Sequence, residues 1–224
     1  MGNTPNNTSP DTSEDTYRTL RVSARAEQRV DGSRFLAEAF PVESRSAVEA
    51  RLEAVQEREP KATHHCSAYR LGRDGADVHY DDDGEPSGTA GQPILRQIDA
   101  RTLTNTLVVV VRYFGGTKLG TGGLMRAYGD AAAAALDHAT LVERTVRTPV
   151  RLRFAYDDTS PAQRVLRRFD TEVQDSNYTD VTTLTVGVRR SEVEAFVDAF
   201  TNALSDRGDV LQIGSEKKQD GGQA

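Results

Sequence analysis

The chain has 224 residues, of which 37% are hydrophobic, and a formal net charge of −6. This composition is adequate for two small domains or one large one and excludes a fibrous or wholly disordered protein. The negative total argues against wholesale wrapping of nucleic acid, and a lone cysteine excludes an internal disulfide. No stretch approaches the ~18 apolar residues of a membrane span or has the layout of a secretory signal. We therefore expect a cytoplasmic protein without membrane contact.

Both ends of the chain are rich in small and polar residues. Residues 1–15 and 215–224 have so little to bury that we predict disordered tails there. Between the tails the hydrophobic pattern changes near Pro149. We therefore predict an N-terminal domain over residues 16–145 and a C-terminal domain over residues 150–214.

The N-terminal half alternates between strand and helix patterns. Apolar runs and turn residues predict strands over residues 20–24, 34–40, 63–71, 78–80 and 107–114. Helical spacing predicts one helix capped by Ser46 and stopped by Pro60, a second from Thr89 to Arg101, and a third over residues 124–141. The strand at 107–114 is almost unbroken apolar, so we expect it to be covered on both faces.

The C-terminal half predicts the element order βαββαβ. Its strands are predicted over residues 151–156, 171–178, 181–188 and 209–213, and its two helices begin at capping boxes that start with Ser160 and Ser191. This order is typical of a ferredoxin-like split βαβ unit, a fold that hosts many functions.

A glycine-rich loop follows the strand at 107–114 and leads into a helix. Five glycines lie within residues 115–123, together with Lys118, one of four lysines in the chain. Successive glycines let backbone N–H groups turn toward one point, and a helix start adds unpaired N–H groups and partial positive charge. Between Arg96 and Arg126 five cationic residues stand against Asp99 alone. The junction is therefore suited to hold an anion.

Three stretches resemble the IMPACT family, specifically its bacterial YigZ-like members. They are residues 64–70 (HHCSAYR), 82–94 (DDGEPSGTAGQPI) and 105–124 (NTLVVVVRYFGGTKLGTGGL). The resemblance implies an α+β protein. Its N-terminal domain would be like domain 2 of ribosomal protein S5, a mixed sheet with helices on one face. Its C-terminal domain would be ferredoxin-like and resemble domain V of elongation factor G. Eukaryotic relatives regulate translation under stress through a further domain that no segment here resembles, so their partner binding is not carried over.

Our first hypothesis is that this chain is a translation-associated protein that binds RNA or the ribosome. Lys118 and the N–H groups of residues 120–123 would hold phosphates, and Tyr113 or Phe114 would stack on unpaired bases. The candidate residues are Arg112, Tyr113, Gly115, Gly116, Lys118, Gly120, Thr121, Gly122, Gly123 and Arg126, with His65, Glu85, Ser87, Thr89 and Arg96 in support. The plainer alternative is that the glycines only make a tight turn. A translation-related protein partner is a further candidate, and we expect no reading of DNA sequence.

The second hypothesis is an enzyme that binds a phosphate ligand or nucleotide through the same loop. Asp82, Asp83 and Glu85 would then supply Mg²⁺ carboxylates, although an acidic run is typically a solvated turn. The spacing around Lys118 does not satisfy the Walker A motif. We assign no catalytic residue and no cofactor. A simpler role for this acidic turn is structural: Glu85 pairs with Arg112 or Lys118, and Ser87 and Thr89 cap the helix that follows.

His64, His65 and Cys66 invite a metal or nucleophile interpretation. On a strand His64 and Cys66 share one face while His65 points to the other, so they offer at most two ligands to one metal. We predict no metal site there, and we predict that Cys66 is a small core residue.

Overall fold

The computed structural model describes residues 15–214, so the predicted tails fall outside it except for Asp15. The described residues form two compact units, Tyr17–Arg144 and residues 145–214 with Asp15 and Thr16. Each unit combines antiparallel strand pairs with helices, which confirms the α+β class. Within the described residues, no helix has both the length and the hydropathy needed to cross a membrane.

The first unit is built around a five-stranded sheet. In chain order its elements are β1 (Thr16–Leu20), β2 (Ala24–Val30), β3 (Ser33–Pro41), α1 (Arg45–Arg58), β4 (His64–Leu71), β5 (Asp77–Asp81), α2 (Gly91–Ala100), β6 (Thr106–Tyr113), α3 (Gly120–Asp137) and β7 (Leu141–Thr145). The sheet order is β2-β3-β6-β4-β5, and all four neighbouring pairs are antiparallel. Strands β1 and β7 form a separate two-stranded sheet.

Strands β2 and β3 form a hairpin that closes at Asp31 and Gly32. Both residues have positive φ, 45° and 81°, as a two-residue type I′ turn requires. The predicted strand at residues 20–24 was misplaced, because β2 begins at Ala24, where it pairs with Ala39 of β3. The two-residue turn sets the register between β2 and β3, so the residues that form β2 can be identified only after the turn has been located.

Strand β6 is the centre of the sheet and is buried on both faces, as predicted. Val108 and Val110 pack in the cluster beneath α2 and α3. Val109 and Val111 pack on the opposite face with Val48 of α1. The expected mixed sheet with helices on one face is therefore wrong, because the sheet is antiparallel and α1 covers its second face. A strand that is apolar on both sides requires such a second layer.

Two helix starts in this unit differ from the predictions. Helix α1 is capped by Ser44, whose side chain accepts a hydrogen bond from the N–H of Ala47, and not by Ser46. Ser44 has the extended backbone that a capping residue needs. Helix α3 begins at Gly120, four residues before the predicted start, because glycine has low helix propensity and hides this first turn from a sequence pattern.

The second unit has the predicted element order βαββαβ. Its elements are β8 (Arg147–Ala155), α4 (Thr159–Arg168), β9 (Glu172–Tyr178), β10 (Val181–Arg189), α5 (Val193–Leu204) and β11 (Asp209–Ile213), with 3₁₀ turns at Tyr156–Asp158 and Arg190–Glu192. The sheet order is β11-β8-β10-β9, again with antiparallel neighbours. Both helices pack on one face of this sheet around Phe196 and Phe200.

The predicted capping boxes of this unit are absent. Ser160 lies inside α4. Ser191 lies in the 3₁₀ turn before α5, and its hydroxyl donates to the carboxylate of Asp15. Each serine has an acidic or amide residue three positions on, but a 3₁₀ turn precedes both helices and shifts their starts.

Candidate functional site

One end of the five-stranded sheet gathers the residues that the sequence analysis singled out. Strand β6 ends here at Tyr113, beside the starts of β3 and β4, where Arg34 pairs with Tyr113 and His64 pairs with Arg112. The loop at 114–119 leaves this end to enter α3, and the loop at 82–90 leaves β5 to enter α2. We call the first of these the glycine loop and the second the acidic loop.

The glycine loop is open to solvent. Residues 114–118 and 120–122 are exposed. Gly116 and Gly120 have φ of +91° and +68°, a backbone conformation that favours glycine, and a Cβ on either would meet no atom within 4 Å. Gly115 is different: a Cβ there would lie 1.9 Å from the carbonyl carbon of Gly32, so it packs directly on the β2–β3 turn.

Neither a left-handed backbone nor close packing accounts for the glycine at position 122. Its φ lies outside the left-handed region, and a Cβ would meet nothing within 4 Å. Glycine in a helix costs roughly 1 kcal/mol relative to alanine. Neither backbone conformation nor packing therefore requires glycine at position 122. Because glycine has no side chain, the N–H group at this position in the first helical turn is not shielded. This is the arrangement that close approach of a ligand to the backbone needs.

Two cations flank this helix start. Lys118 precedes it, and Arg126 lies one turn after Gly122 on the same exposed face. Across residues 15–214, neither side chain makes a hydrogen bond or an ion pair. No side chain of the described part of the chain caps the N-terminus of α3. The unpaired N–H groups of the first turn and both charges therefore face solvent.

Helix α2 offers a comparison within the same unit. The carboxylate of Asp82 accepts hydrogen bonds from the N–H groups of Gly88 (2.7 Å), Ala90 (2.9 Å) and Gly91 (2.8 Å). The predicted cap by Thr89 is wrong, since its hydroxyl donates to the carbonyl of Pro86. A carboxylate of the chain itself thus occupies the N-terminus of α2, whereas the equivalent groups of α3 have no such partner among residues 15–214.

Beneath the two loops lies a buried polar network. Arg112 and Glu85 form an ion pair, one of the two alternatives that the sequence left open for Glu85, with 2.6 Å between Nη1 and Oε1 and side chains that are 6% and 4% exposed. The hydroxyl of Tyr128 donates to the same carboxylate oxygen at 2.7 Å. Arg112 also donates to the hydroxyl of Ser33, which in turn accepts from the N–H of Gly115. The network therefore ties the base of the glycine loop to the sheet.

The acidic loop does not form a carboxylate cluster. Asp82 caps α2, Glu85 pairs with Arg112, and Asp83 accepts a hydrogen bond from the backbone N–H of His65. In residues 15–214 no group of three or more His, Cys, Asp or Glu side chains is arranged to hold a metal ion. The three carboxylates proposed for Mg²⁺ are thus directed to different partners.

His64 and Cys66 lie on the face of β4 that meets this network. Cys66 is fully buried in the core, as predicted, and its thiol contacts the carbonyl oxygen of Asp82. Burial raises the pKa of this thiol well above its usual range, so Cys66 stays protonated and is a poor nucleophile. Nδ1 of His64 lies 2.7 Å from the carbonyl of Asp83 and must carry the proton, because a carbonyl only accepts.

Several predicted residues lie away from the glycine loop. Tyr113 and His65 face α1, where the hydroxyl of Tyr113 donates to Glu59. Arg96 lies on the exposed side of α2 and donates to Gln92, and Ser87 is exposed in the acidic loop. Arg112 is buried, so its place is in the network and not among the surface cations. The exposed residues of the loop and helix start are residues 114–118, residues 120–122 and Arg126.

The chain is similar to known proteins over most of its length. Residues 31–136 match the Impact N-terminal domain, and residues 152–207 match a domain of unknown function, DUF1949. The chain is 32% identical over 196 residues to the IMPACT family member YvyE of Bacillus subtilis, covering 88% of this chain and 90% of that protein. This chain belongs to the IMPACT family.

Two further relatives extend the comparison. The IMPACT family member YigZ of Escherichia coli is 34% identical over 171 residues, which cover 75% of this chain and 84% of that protein. A crystal structure described as that of a hypothetical protein matches with a TM-score of 0.68 at 28% identity, covering 92% of this chain and 99% of that chain. The glycine loop, the acidic loop and the buried network all fall inside the range matched by the family's N-terminal domain.

Proposed function

We propose that this IMPACT family protein binds RNA, free or within the ribosome, through the glycine loop and the first turn of α3, and that it acts in the regulation of translation. One observation carries the proposal: within residues 15–214, a helix N-terminus without a side-chain cap lies open to solvent between two cations that have no partner there, Lys118 and Arg126. Membership of the IMPACT family, whose eukaryotic members regulate translation, supports translation as the process in which this chain acts.

The electrostatics favour a local phosphate contact over a broad nucleic-acid surface. The chain carries a net charge of −6, so long-range attraction to RNA is weak. At the helix start, however, N–H groups, the helix dipole and two cations act on the same point. The acidic loop supports this interpretation, since α2 already binds a carboxylate at its own N-terminus. A phosphate group offers the same type of oxygen acceptor to α3.

The proposal extends to the architecture. The order βαββαβ with the sheet order β11-β8-β10-β9 supports a ferredoxin-like C-terminal domain over residues 150–214 that resembles domain V of elongation factor G. Residues 16–145 would form the domain that resembles domain 2 of ribosomal protein S5. We propose that this N-terminal domain carries the RNA contact.

The test replaces Lys118 by Ala and measures affinity for RNA oligonucleotides and for ribosomal subunits over a salt series. Loss of one phosphate contact should weaken binding about fivefold at moderate salt. It should also reduce the slope of log K against log salt by about 0.7, the value for one contact with a single strand. Lys118 is exposed and unpartnered among the described residues, so the change should leave the unfolding midpoint unaltered.

Arg21→Ala is the matched control. Arg21 is exposed, and its backbone N–H bonds to Thr140 beyond the C-terminal end of α3, a helix about 27 Å long. This variant removes the same charge from the far end of the helix and should retain the salt slope. If both variants bind RNA with the affinity and slope of the parent protein, the proposed function is wrong. Ribosome retention that survives high salt would point to a protein partner instead.

A further inference from the structure

Phe114 is an exposed aromatic residue at the base of the glycine loop. It is 49% exposed, although it directly follows a strand whose apolar residues are otherwise buried. Its ring lies over the guanidinium of Arg112, with 5.6 Å between Cζ and the ring centroid. The same guanidinium also lies 5.5 Å from the ring of Phe35. Phe114 is thus the exposed member of a cluster that also contains the Arg112 guanidinium and the buried ring of Phe35.

Hydrogen bonds and ring packing hold each member of this cluster in place. Arg112 is fixed by Glu85 and by the hydroxyl of Ser33. The ring of Phe35 packs edge-on against Tyr128, with 5.2 Å between centroids. The backbone N–H of Phe114 donates to the hydroxyl of Thr63 at 3.1 Å. The exposed ring is therefore pre-positioned, which lowers the entropy lost when a ligand stacks on it.

We infer that Phe114 is a stacking platform for one unpaired base, and that the ligand class of this site is single-stranded RNA and not duplex. The inference rests on the proposed function, because the phosphates would be held by the neighbouring helix start and Lys118. Bases within a duplex are already stacked on each other and present no free ring face, whereas unpaired bases stack on aromatic side chains. A phenyl ring carries no hydrogen-bonding group, so the contact should tolerate any base.

The short loop between the ring and the proposed phosphate site is consistent with this ligand. Three exposed loop residues, 115–117, separate Phe114 from Lys118, and the first turn of α3 follows at Gly120. A chain of six residues spans at most about 20 Å, so the ring and the proposed phosphate site are within reach of one short oligonucleotide. The ligand would place a base on the ring and a phosphate on the exposed N–H groups and cations.

The experiment compares Phe114→Ala, Phe114→Leu and Phe114→Trp in the full chain. Each is titrated with a single-stranded RNA oligonucleotide and with a duplex of the same length. A single-stranded oligonucleotide with one 2-aminopurine reports stacking through quenching of its fluorescence. We expect the Ala and Leu variants to bind the single strand about 5- to 150-fold more weakly and to lose the quenching. The Trp variant should retain both, and the salt slope should be unchanged in all three because no charge is removed.

Phe114→Leu keeps apolar bulk without a ring face, so it separates stacking from packing. Retention of affinity and quenching by the Leu variant, or an equal loss for single strand and duplex, would overturn the inference. The Lys118→Ala result is independent of this outcome. If Lys118→Ala reduces the salt slope while the Phe114 variants bind normally, RNA binding stands and the stacking platform fails. If neither changes binding, both proposals fail.

Discussion

Replacing Glu85 by Ala is expected to lower the free energy of unfolding of the N-terminal unit by about 3–5 kcal/mol. The change removes the carboxylate that pairs with Arg112 at 2.6 Å and accepts from the hydroxyl of Tyr128. A guanidinium that is 6% exposed would then be left without its counter-charge. Among residues 15–214, Nε of Arg112 is already buried without a hydrogen-bond partner, so loss of Glu85 would leave the guanidinium with the hydroxyl of Ser33 as an acceptor. Urea denaturation of the parent and variant proteins measures the difference.

The control for this variant removes both charges. Glu85→Leu combined with Arg112→Met replaces the ion pair by apolar side chains and should recover most of the lost stability, because neither side chain then carries an unpaired charge. A cost below about 1 kcal/mol for Glu85→Ala alone would contradict the account. So small a cost would mean that the guanidinium of Arg112 can reach water. The buried network would then not hold the glycine loop rigidly on the sheet.

Replacing Gly115 by Ala is expected to cost about 3 kcal/mol or more. The added methyl group would lie 1.9 to 2.2 Å from backbone atoms of Gly32 and Ser33, and none of these can move away as a flexible side chain can. Either the β2–β3 turn or the glycine loop must shift. The hydrogen bond from the N–H of Gly115 to Ser33 would be lost with it. Thermal and urea unfolding report the stability, and RNA affinity reports the loop position.

Gly116→Ala is the neighbouring control. Gly116 has φ of +91° but open space around its Cβ position, so only the backbone conformation is penalised. That penalty is about 1–2 kcal/mol. The difference between the two variants isolates the contact between the loop and the β2–β3 turn. Equal costs at the two positions would show that this contact contributes nothing to stability.

The local pattern of the sequence was sufficient to predict much of this site. The order of strand, glycine loop and helix, the two-sided burial of β6 and the core position of Cys66 are all present. Each depends on residues that are close in the chain or on a strong compositional signal. For Glu85 the sequence left Arg112 and Lys118 open as partners, and the structure shows Arg112. Alternation along a strand decides which side chains share a face, which placed His64 with Cys66 correctly.

Long-range contacts were beyond a sequence pattern. Ser33 and Gly115 are 82 residues apart, yet one hydrogen bond between them anchors the glycine loop. Asp82 caps α2 only because the acidic loop folds back on the helix that follows it. Tyr128 reaches Glu85 from the third turn of α3. Tertiary structure decides each of these contacts, so Ser33 and Tyr128 received no predicted role and Asp82 was considered only as an Mg²⁺ ligand.

The central claim is that backbone N–H groups at the start of α3 form a solvent-exposed binding site for a phosphate. Gly122→Ala tests this most directly, because the position has an ordinary φ and open space around its Cβ. Alanine should raise the free energy of unfolding by up to about 1 kcal/mol, since it favours the helix. Its methyl group should also obstruct the phosphate site and weaken RNA binding about tenfold, which corresponds to about 1.4 kcal/mol of binding free energy. A more stable variant that binds RNA with unchanged affinity would contradict the account.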